Sequence, residues 1–321
     1  YKRQFPDIVG RLSFFVNAGI RFVTEMCKMR AFTEMWDEIA CDRYGVEDEN
    51  LRRFRYGVQV NSLCLTEQQP ENNVYRILLE MLAVILSKNA RARAVQLPAW
   101  NEAMGLPRPW DQQWSIRLQQ ILAYETDLLE YGDLFDGNAV VEEQVRSLKS
   151  AAWAEFAKIE ALGGAVHAID YMKEALVRSN AHRIEDIETA DQKVVGVNCF
   201  VETAESPLNT GRAPILRVND QAEKEQIEAL KAWREKRDDH GVQVALAELA
   251  HAARQGENIM PPSIRAARAG VTTGEWARCL KDVFGRYRAP TGVCVTPGRA
   301  GDNRLGSLRD RVNSLTKTVS Y

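Results

Sequence analysis

The chain has 321 residues, a length that favours two domains or one large one. Lys and Arg total 42 and Asp and Glu total 44, so the net charge of −2 argues against binding nucleic acid or an acidic membrane through bulk charge. Hydrophobic residues make up 45%, which allows a sizeable core, and no apolar run reaches the roughly 20 residues of a membrane span. Six well-separated cysteines and four histidines predict a reduced, cytoplasmic chain without a metal site.

Short apolar runs alternate with amphipathic segments in the first 142 residues. Strands are predicted at 14–16, 54–65 and 92–97, with a further strand or turn region at 133–141. Helices are predicted at 19–44, 73–87 and 111–130. Asp111 is the expected N-cap of the last helix, whose buried face is predicted to comprise Trp114, Leu118, Ile121 and Leu122. This order favours an α/β fold with a parallel sheet and about four βα units, half of a (β/α)₈ barrel.

Beyond residue 142 the sequence is mostly helical. Helices are predicted at 142–162, 164–178, 219–237, 242–254 and 273–284, with an irregular stretch at 190–218. The segment 286–304 is rich in Gly, Pro and Arg and has the composition of a linker. We therefore divide the chain into a partial barrel at 1–142, a helical continuation of the same catalytic domain at 143–285 and a linker at 286–321.

Two polar groups accompany the first two predicted strands. Arg11 and Ser13 lie two residues apart at the start of the first strand, where they could bind a phosphate or carboxylate. Gln59 and Ser62 lie in the second strand with Asn61, and the amide-rich segment 67–73 follows its carboxyl end, where barrel enzymes place their sites. Amides and hydroxyls suit hydrogen bonding to a large polar ligand better than acid–base chemistry. The alternatives are an exposed arginine with a turn serine, and a solvated loop that caps the next helix.

A third candidate group follows the third strand. Glu102 is a lone acid at the expected mouth of the barrel, and Gly105 would let the backbone approach a ligand closely. An ordinary surface acid is the alternative interpretation. The sequence contains no GxGxxG, Walker A, HExxH or GxSxG pattern, which leaves nucleotide-phosphate loops, zincins and α/β-hydrolases without support.

Seven short motifs occur in order over residues 8–290. They are Arg11-Leu12-Ser13-Phe14-Phe15, Lys28-Met29-Arg30-Ala31, Leu65-Thr66-Glu67-Gln68, Asn72-Asn73, Asn101-Glu102-Ala103 with Leu106-Pro107, Gly196-Val197-Asn198, and Val283-Phe284-Gly285-Arg286-Tyr287. Together they resemble the coenzyme-B12-dependent acyl-CoA mutases of the methylmalonyl-CoA mutase family. The segments 66–76 and 90–100 are most similar to the ethylmalonyl-CoA branch of that family. Methylmalonyl-CoA mutases differ at 92–96, where they have Thr-Gln-Ser-Leu-His.

The resemblance implies an isomerase that uses adenosylcobalamin for a radical carbon-skeleton rearrangement, with ethylmalonyl-CoA to methylsuccinyl-CoA as the expected reaction. It also implies a (β/α)₈ barrel with the CoA arm along its axis. In this pattern Arg11 and Ser13 match acyl-CoA contacts, whereas Ser62, Glu102 and Gly105 match positions near the cofactor. Gln59 matches a site glutamine by position only, and Ser62 replaces a glycine of the methylmalonyl-CoA enzymes.

The resemblance also concerns what lies outside this chain. The family's key catalytic residues would precede Tyr1, and its cobalt-ligating histidine, in an Asp-x-His-x-x-Gly domain, would follow Tyr321 or belong to a separate subunit. We therefore expect the chain alone to be an inactive internal fragment, with an acyl-CoA substrate, that cobalamin-binding domain and a second copy in a homodimer as partners. Two alternatives remain: a large subunit for methylmalonyl-, isobutyryl- or 2-hydroxyisobutyryl-CoA, and a non-catalytic mutase-like subunit.

Overall fold

The computed structural model describes residues 4–204, 215–216 and 219–286. These residues belong to two compact units, which divide after Leu216. The first unit contains three parallel strands that pair in the order β1 (Phe14–Ala18), β2 (Tyr56–Val60) and β3 (Ala94–Gln96). The predicted parallel sheet with helical crossovers is thereby confirmed. The predicted linker lies outside the described residues except for Arg286.

Seven α-helices of the first unit lie in the described residues. They are α1 (Phe5–Val9), α2 (Phe22–Glu38), α3 (Glu49–Arg52), α4 (Asn72–Ile85), α5 (Pro109–Tyr124), α6 (Ala139–Ala161) and α7 (Ile169–Glu188). A π-helical turn, Ile39–Arg43, extends α2, and 3₁₀ turns occur at Ser62–Cys64, Lys88–Ala90 and Glu102–Met104. The predicted helices at 19–44, 73–87 and 142–162 correspond to α2, α4 and α6. No described helix has the length and apolar character needed to cross a membrane.

The helix-facing side of the sheet forms the core. Ala18, Tyr56 and Val58 pack against Met29 of α2, and Val60 packs against Met81 of α4. These residues alternate along the strands, because successive side chains of a strand point to opposite faces. On the other face, Phe15, Asn17 and Gln96 are exposed, and this is the face on which the candidate site is built.

The strand predicted at 54–65 is shorter than expected, and of the two alternatives at 133–141, strand or turn, the structure has the turn. The chain leaves the sheet after Val60, since the Asn61 side chain accepts a hydrogen bond from Leu63 N (2.9 Å) and starts the 3₁₀ turn that contains Ser62. The region 133–141 contains turns and the start of α6. There the buried Asp133 carboxylate accepts from Phe135 N (3.0 Å) and pairs with Arg30 (2.7 Å), which favours a turn over a strand. The described sheet therefore has three βα units, not four.

The prediction for α5 was wrong in its start and in part of its buried face. The helix begins at Pro109 with Arg108 as its N-cap, so Asp111 occupies the third helical position. Trp114 and Ile121 are 43% and 49% exposed, whereas the predicted partners Leu118 and Leu122 do pack against the core. Trp100, which no periodic pattern marked, is buried in that part of the core.

The second unit is helical throughout its described residues. It contains α8 (Asp220–Lys236), α9 (Asp239–Arg254), α10 (Met260–Arg268) and α11 (Thr273–Phe284). Helix α10 was not predicted; its two prolines, Pro261 and Pro262, lie in the first turn, where proline is tolerated. Three of the four helices match predicted segments.

A partly buried ion pair connects two helices of this unit. Arg237, after α8, donates two hydrogen bonds of 2.7 Å to the Glu275 carboxylate in the first turn of α11. Arg237 also donates to Gly270 O (3.1 Å), and Glu275 accepts from Thr272 N (2.9 Å) in a capping box. The hydrogen bonds from Arg237 hold the pKa of Glu275 well below its usual range, although burial opposes them.

We expect Glu275→Gln to destabilise the second unit by about 2 kcal/mol at pH 7, because the bidentate charged contact is lost. A depressed folded pKa stabilises above the ordinary value near 4.5, so the difference from the wild type should shrink as the pH falls below that value. Hydrogen exchange of α11 measures the effect. The matched control is Glu248→Gln, which breaks the exposed pair with Arg265 and should leave exchange unchanged. Equal protection of α11 in all three proteins would contradict the prediction.

Candidate functional site

The open face of the sheet carries a row of three side-chain amides. The strand register aligns Asn17 of β1 with Gln59 of β2, and Gln59 with Gln96 of β3. Since aligned residues of neighbouring strands point to the same side about 4.8 Å apart, the three carboxamides form a continuous polar row. Asn17 and Gln96 are exposed and Gln59 is half-buried. Of these three amides only Gln59 is a predicted site residue, because Asn17 and Gln96 join it only through the strand register.

A smooth apolar row lies next to the amides, toward the amino ends of the strands. It consists of Phe15, Gly57 and Ala94, aligned by the same register. A Cβ atom added to Gly57 would lie 2.8 Å from Cε2 of Phe15, so the ring covers the glycine. Phe15 is nevertheless 58% exposed, which leaves an aromatic surface open on this face.

The predicted site residues are spread along the strands and are not gathered at one point. Arg11 and Ser13 are exposed at the amino end of β1, and alternation places Ser13 on the side of Phe15 and Asn17. Ser62, Glu102 and Gly105 follow β2 and β3 at the carboxyl end of the sheet. At about 3.3 Å per residue, the strands separate the two groups by roughly 15 Å. Such a distribution suits an extended ligand on one face with a second ligand at its far end.

A cavity of about 690 Å³ opens at the carboxyl end of β2. Its walls come from the segment 63–68, the exposed side of α4, the end of α7 and the loop at 192–197. Leu63 and Ala103 line it, so Ser62 and Glu102 are immediate chain neighbours of its walls. The apolar side chains Leu63, Leu65 and Leu79 alternate with hydrogen-bonding groups such as Thr66 and Gln68.

Three ionisable side chains shape the electrostatics near this cavity. Burial lowers the pKa of Arg76, whose guanidinium donates to Thr66 Oγ1 (3.0 Å) and Val195 O (2.7 Å). Burial also raises the pKa of the Cys64 thiol, with a further contribution from Glu80. Glu80 lies beneath the cavity wall, and burial, reinforced by Glu25, raises its pKa to about 8. At neutral pH the region therefore contains an arginine charge without an ionised Glu80 beside it.

The amide-rich segment 67–73 has a structural role that its composition concealed. Asn73 is fully buried, and its Nδ2 donates to Thr66 O and Trp100 O at 2.9 Å each. Gln69 donates to Phe200 O (2.8 Å) and accepts from Asn72 (2.9 Å). These amides join the loops around the site to one another, whereas Gln68 lines the cavity.

The turn after β3 presents Glu102 and Gly105. The Glu102 carboxylate is partly exposed and has no hydrogen bond or ion pair to a described residue. Gly105 has φ +140°, and an added Cβ would lie 3.0 Å from Ile215 Cδ1, so both conformation and space favour glycine. The turn thus presents the Glu102 carboxylate beside a glycine that the Ile215 side chain covers.

Comparisons with known proteins show the family of this chain. The family model described as methylmalonyl-CoA mutase matches residues 4–286. The chain belongs to the methylmalonyl-CoA mutase family. Among members of this family, it is 64% identical over 98% of its length to an ethylmalonyl-CoA mutase of Cereibacter sphaeroides, covering 48% of that protein. It is 63% identical over 98% of its length to an ethylmalonyl-CoA mutase of Methylorubrum extorquens, covering 47% of it.

More distant members of the methylmalonyl-CoA mutase family also match. A methylmalonyl-CoA mutase of Rhizobium meliloti is 30% identical over 98% of this chain, which covers 44% of that protein. The chain spans about half the length of the curated relatives it matches. The resemblance found in the sequence motifs, including the branch to which it pointed, is confirmed.

Proposed function

We propose that this chain is part of an adenosylcobalamin-dependent acyl-CoA mutase that converts ethylmalonyl-CoA to methylsuccinyl-CoA. The main structural support is the open face of the sheet, on which polar and apolar rows succeed one another between Arg11 at one end and Glu102 at the other. The level of identity to two ethylmalonyl-CoA mutases, about twice that to methylmalonyl-CoA mutases, favours this substrate.

The open face suits the coenzyme A arm. Pantetheine contains two amide groups separated by aliphatic segments and ends at phosphates. The amides of Asn17, Gln59 and Gln96 can each donate and accept hydrogen bonds, and Phe15 offers apolar contact. Arg11 and Ser13 are placed for the phosphates. We propose that β1 to β3, within the partial barrel at 1–142, form half of a (β/α)₈ barrel whose interior is this face, with 143–285 continuing the domain.

The carboxyl end of the sheet suits the cofactor. A corrin ring is a large, mostly apolar surface edged with amides, and the cavity combines leucine side chains with Thr66, Gln68 and Arg76. Adenosylcobalamin, when bound, supplies the homolytic cobalt–carbon chemistry that starts the rearrangement. Ser62 and Glu102 would hydrogen-bond the cofactor, Gly105 would lie near it in the turn that presents Glu102, and the cavity walls would exclude water. The cobalt ligand, a homodimeric partner and a cytoplasmic location remain further parts of this proposal.

The test uses the protein expressed from its complete open reading frame. Arg11→Ala should raise KM for ethylmalonyl-CoA by about 10- to 100-fold with little change in kcat, because a contact far from the reacting carbons binds substrate and transition state equally. The matched control is Arg93→Ala, because Arg93 is also an exposed arginine and lies just before β3. The KM of this variant for ethylmalonyl-CoA should stay within twofold of the wild-type value. Turnover of only another acyl-CoA, or an unchanged KM in Arg11→Ala, would sink the proposal.

A further inference from the structure

A single buried carboxylate, Asp111, connects both ends of the turn that presents Glu102. Asp111 is fully buried in the first turn of α5. Its Oδ1 accepts from Trp100 Nε1 (3.1 Å), and its Oδ2 accepts from Asn101 Nδ2 (2.9 Å). From the other side, Arg108 donates through its backbone N–H (2.8 Å) and its Nε (3.0 Å) to Oδ2.

These donors bracket the turn. Trp100 and Asn101 directly precede the 3₁₀ turn Glu102–Met104, and Arg108 follows Gly105 by three residues. One carboxylate therefore closes a loop of nine residues at both of its ends. Burial would raise the pKa of Asp111, but hydrogen bonds from Arg108 and Asn101 outweigh it and lower the pKa. The hydrogen bonds therefore favour the ionised carboxylate, which accepts five of them when that from Arg108 Nη2 to Oδ1 (3.2 Å) is included.

The packing around this carboxylate is one-sided. Trp100 is buried against α4 and its carbonyl accepts from Asn73, so the first end of the loop is fixed to the core. The second end, at Arg108, lies on the surface over the Trp110 ring (4.6 Å from Cζ to the centroid). The carboxylate therefore ties a surface end of the loop to an end that is fixed in the core.

We infer that Asp111 is a positioning residue, which holds the turn at 101–105 so that Glu102 and Gly105 face the cofactor. This inference rests on the proposed function for the role of Glu102. It goes beyond that function in one respect. Asp111, a side chain of α5, controls the geometry of the cofactor site by holding the turn.

The first test measures the turn itself and does not depend on any activity. In the complete protein, Asp111→Asn keeps the shape but turns one acceptor into a donor that faces other donors. Hydrogen exchange of the peptide at 99–106 should accelerate at least tenfold. The control is Asp133→Asn, another buried carboxylate of the same unit, which should lower stability without accelerating exchange at 99–106. Unchanged exchange in Asp111→Asn, or equal acceleration in the control, overturns the inference.

The second test links the turn to the cofactor. Equilibrium binding of adenosylcobalamin should weaken about tenfold in Asp111→Asn and in Glu102→Gln, and the double variant should be no more than twofold weaker than either, because both remove the same contact. Fully additive losses would overturn the coupling. If Glu102→Gln alone binds normally, the proposed role of Glu102 fails, while the exchange data still decide whether Asp111 holds the turn. Trp100→Phe, which removes one donor, provides a milder variant if Asp111→Asn does not fold.

Discussion

Glu80→Gln should stabilise the protein by about 3 kcal/mol at pH 8 and leave its stability almost unchanged at pH 5. Glu80 is fully buried in α4, and neither carboxyl oxygen has a hydrogen-bond partner in the described residues. Burial, together with Glu25 of α2, raises its pKa from 4.5 to about 8, against the opposing effects of Cys64 and Arg76. A glutamine has a similar shape and does not need to hold a proton in order to remain neutral.

The direction of this pH dependence follows from proton binding to Glu80. A carboxyl with a raised folded pKa binds its proton more tightly in the folded state, so stability falls as pH rises from the ordinary value of 4.5 toward 8 and is level above that. The full shift would correspond to about 5 kcal/mol, which relaxation and water penetration reduce. Glutamine does not titrate, so the stability of the variant does not fall as the pH rises through this range.

Denaturant unfolding of both proteins at pH 5 and pH 8 measures the difference. The control is Glu143→Gln, an exposed acid on α6 paired with Arg146, for which the change should stay within about 0.5 kcal/mol at both values. A Glu80→Gln variant that is less stable than the wild type at pH 8 would show that Glu80 is ionised and well paired in the folded protein.

Asn73→Ala should destabilise the first unit by about 4 kcal/mol, since it removes all four hydrogen bonds of a fully buried side chain at once. The Asn73 oxygen accepts from Thr66 N (3.0 Å) and Arg76 Nη1 (2.8 Å), while its nitrogen donates to Thr66 O and Trp100 O. Alanine would leave the buried Trp100 carbonyl without this donor and the half-buried Thr66 backbone without its partner, and a lost bond of a buried group costs more than its own net contribution.

Asn72→Ala is a closely matched control for this prediction. Asn72 is the chain neighbour of Asn73, but it is only half-buried and donates a single side-chain hydrogen bond, to Gln69. The Asn72→Ala variant should lose no more than about 1 kcal/mol of unfolding free energy in the same experiment. Equal losses in the two variants would mean that the buried network adds nothing to stability beyond an ordinary loop contact.

The sequence was informative wherever periodicity decides the structure. Alternating strands and amphipathic helices predicted the parallel sheet and most helices, and the motif order predicted the family. It was less informative where structure depends on register or on buried polar groups. The amide row needs the pairing of Asn17 with Gln59, and the hydrogen bond from Asn73 to Trp100 joins residues 27 apart. The sequence predicts Asp111 as a helix N-cap, whereas the structure makes it a buried acceptor for Trp100 and Arg108. An aspartate near the start of a helix is compatible with both roles, so the sequence does not distinguish them.

The placement of Arg11 and Glu102 at opposite ends of one sheet face has a kinetic consequence. If the substrate enters past Arg11 and the cofactor is held near Glu102, each has its own entrance, and neither blocks the exit of the other. Product could then be exchanged for new substrate many times while one cofactor molecule stays in place. Slow cofactor release would be compatible with rapid turnover in a protein built in this way.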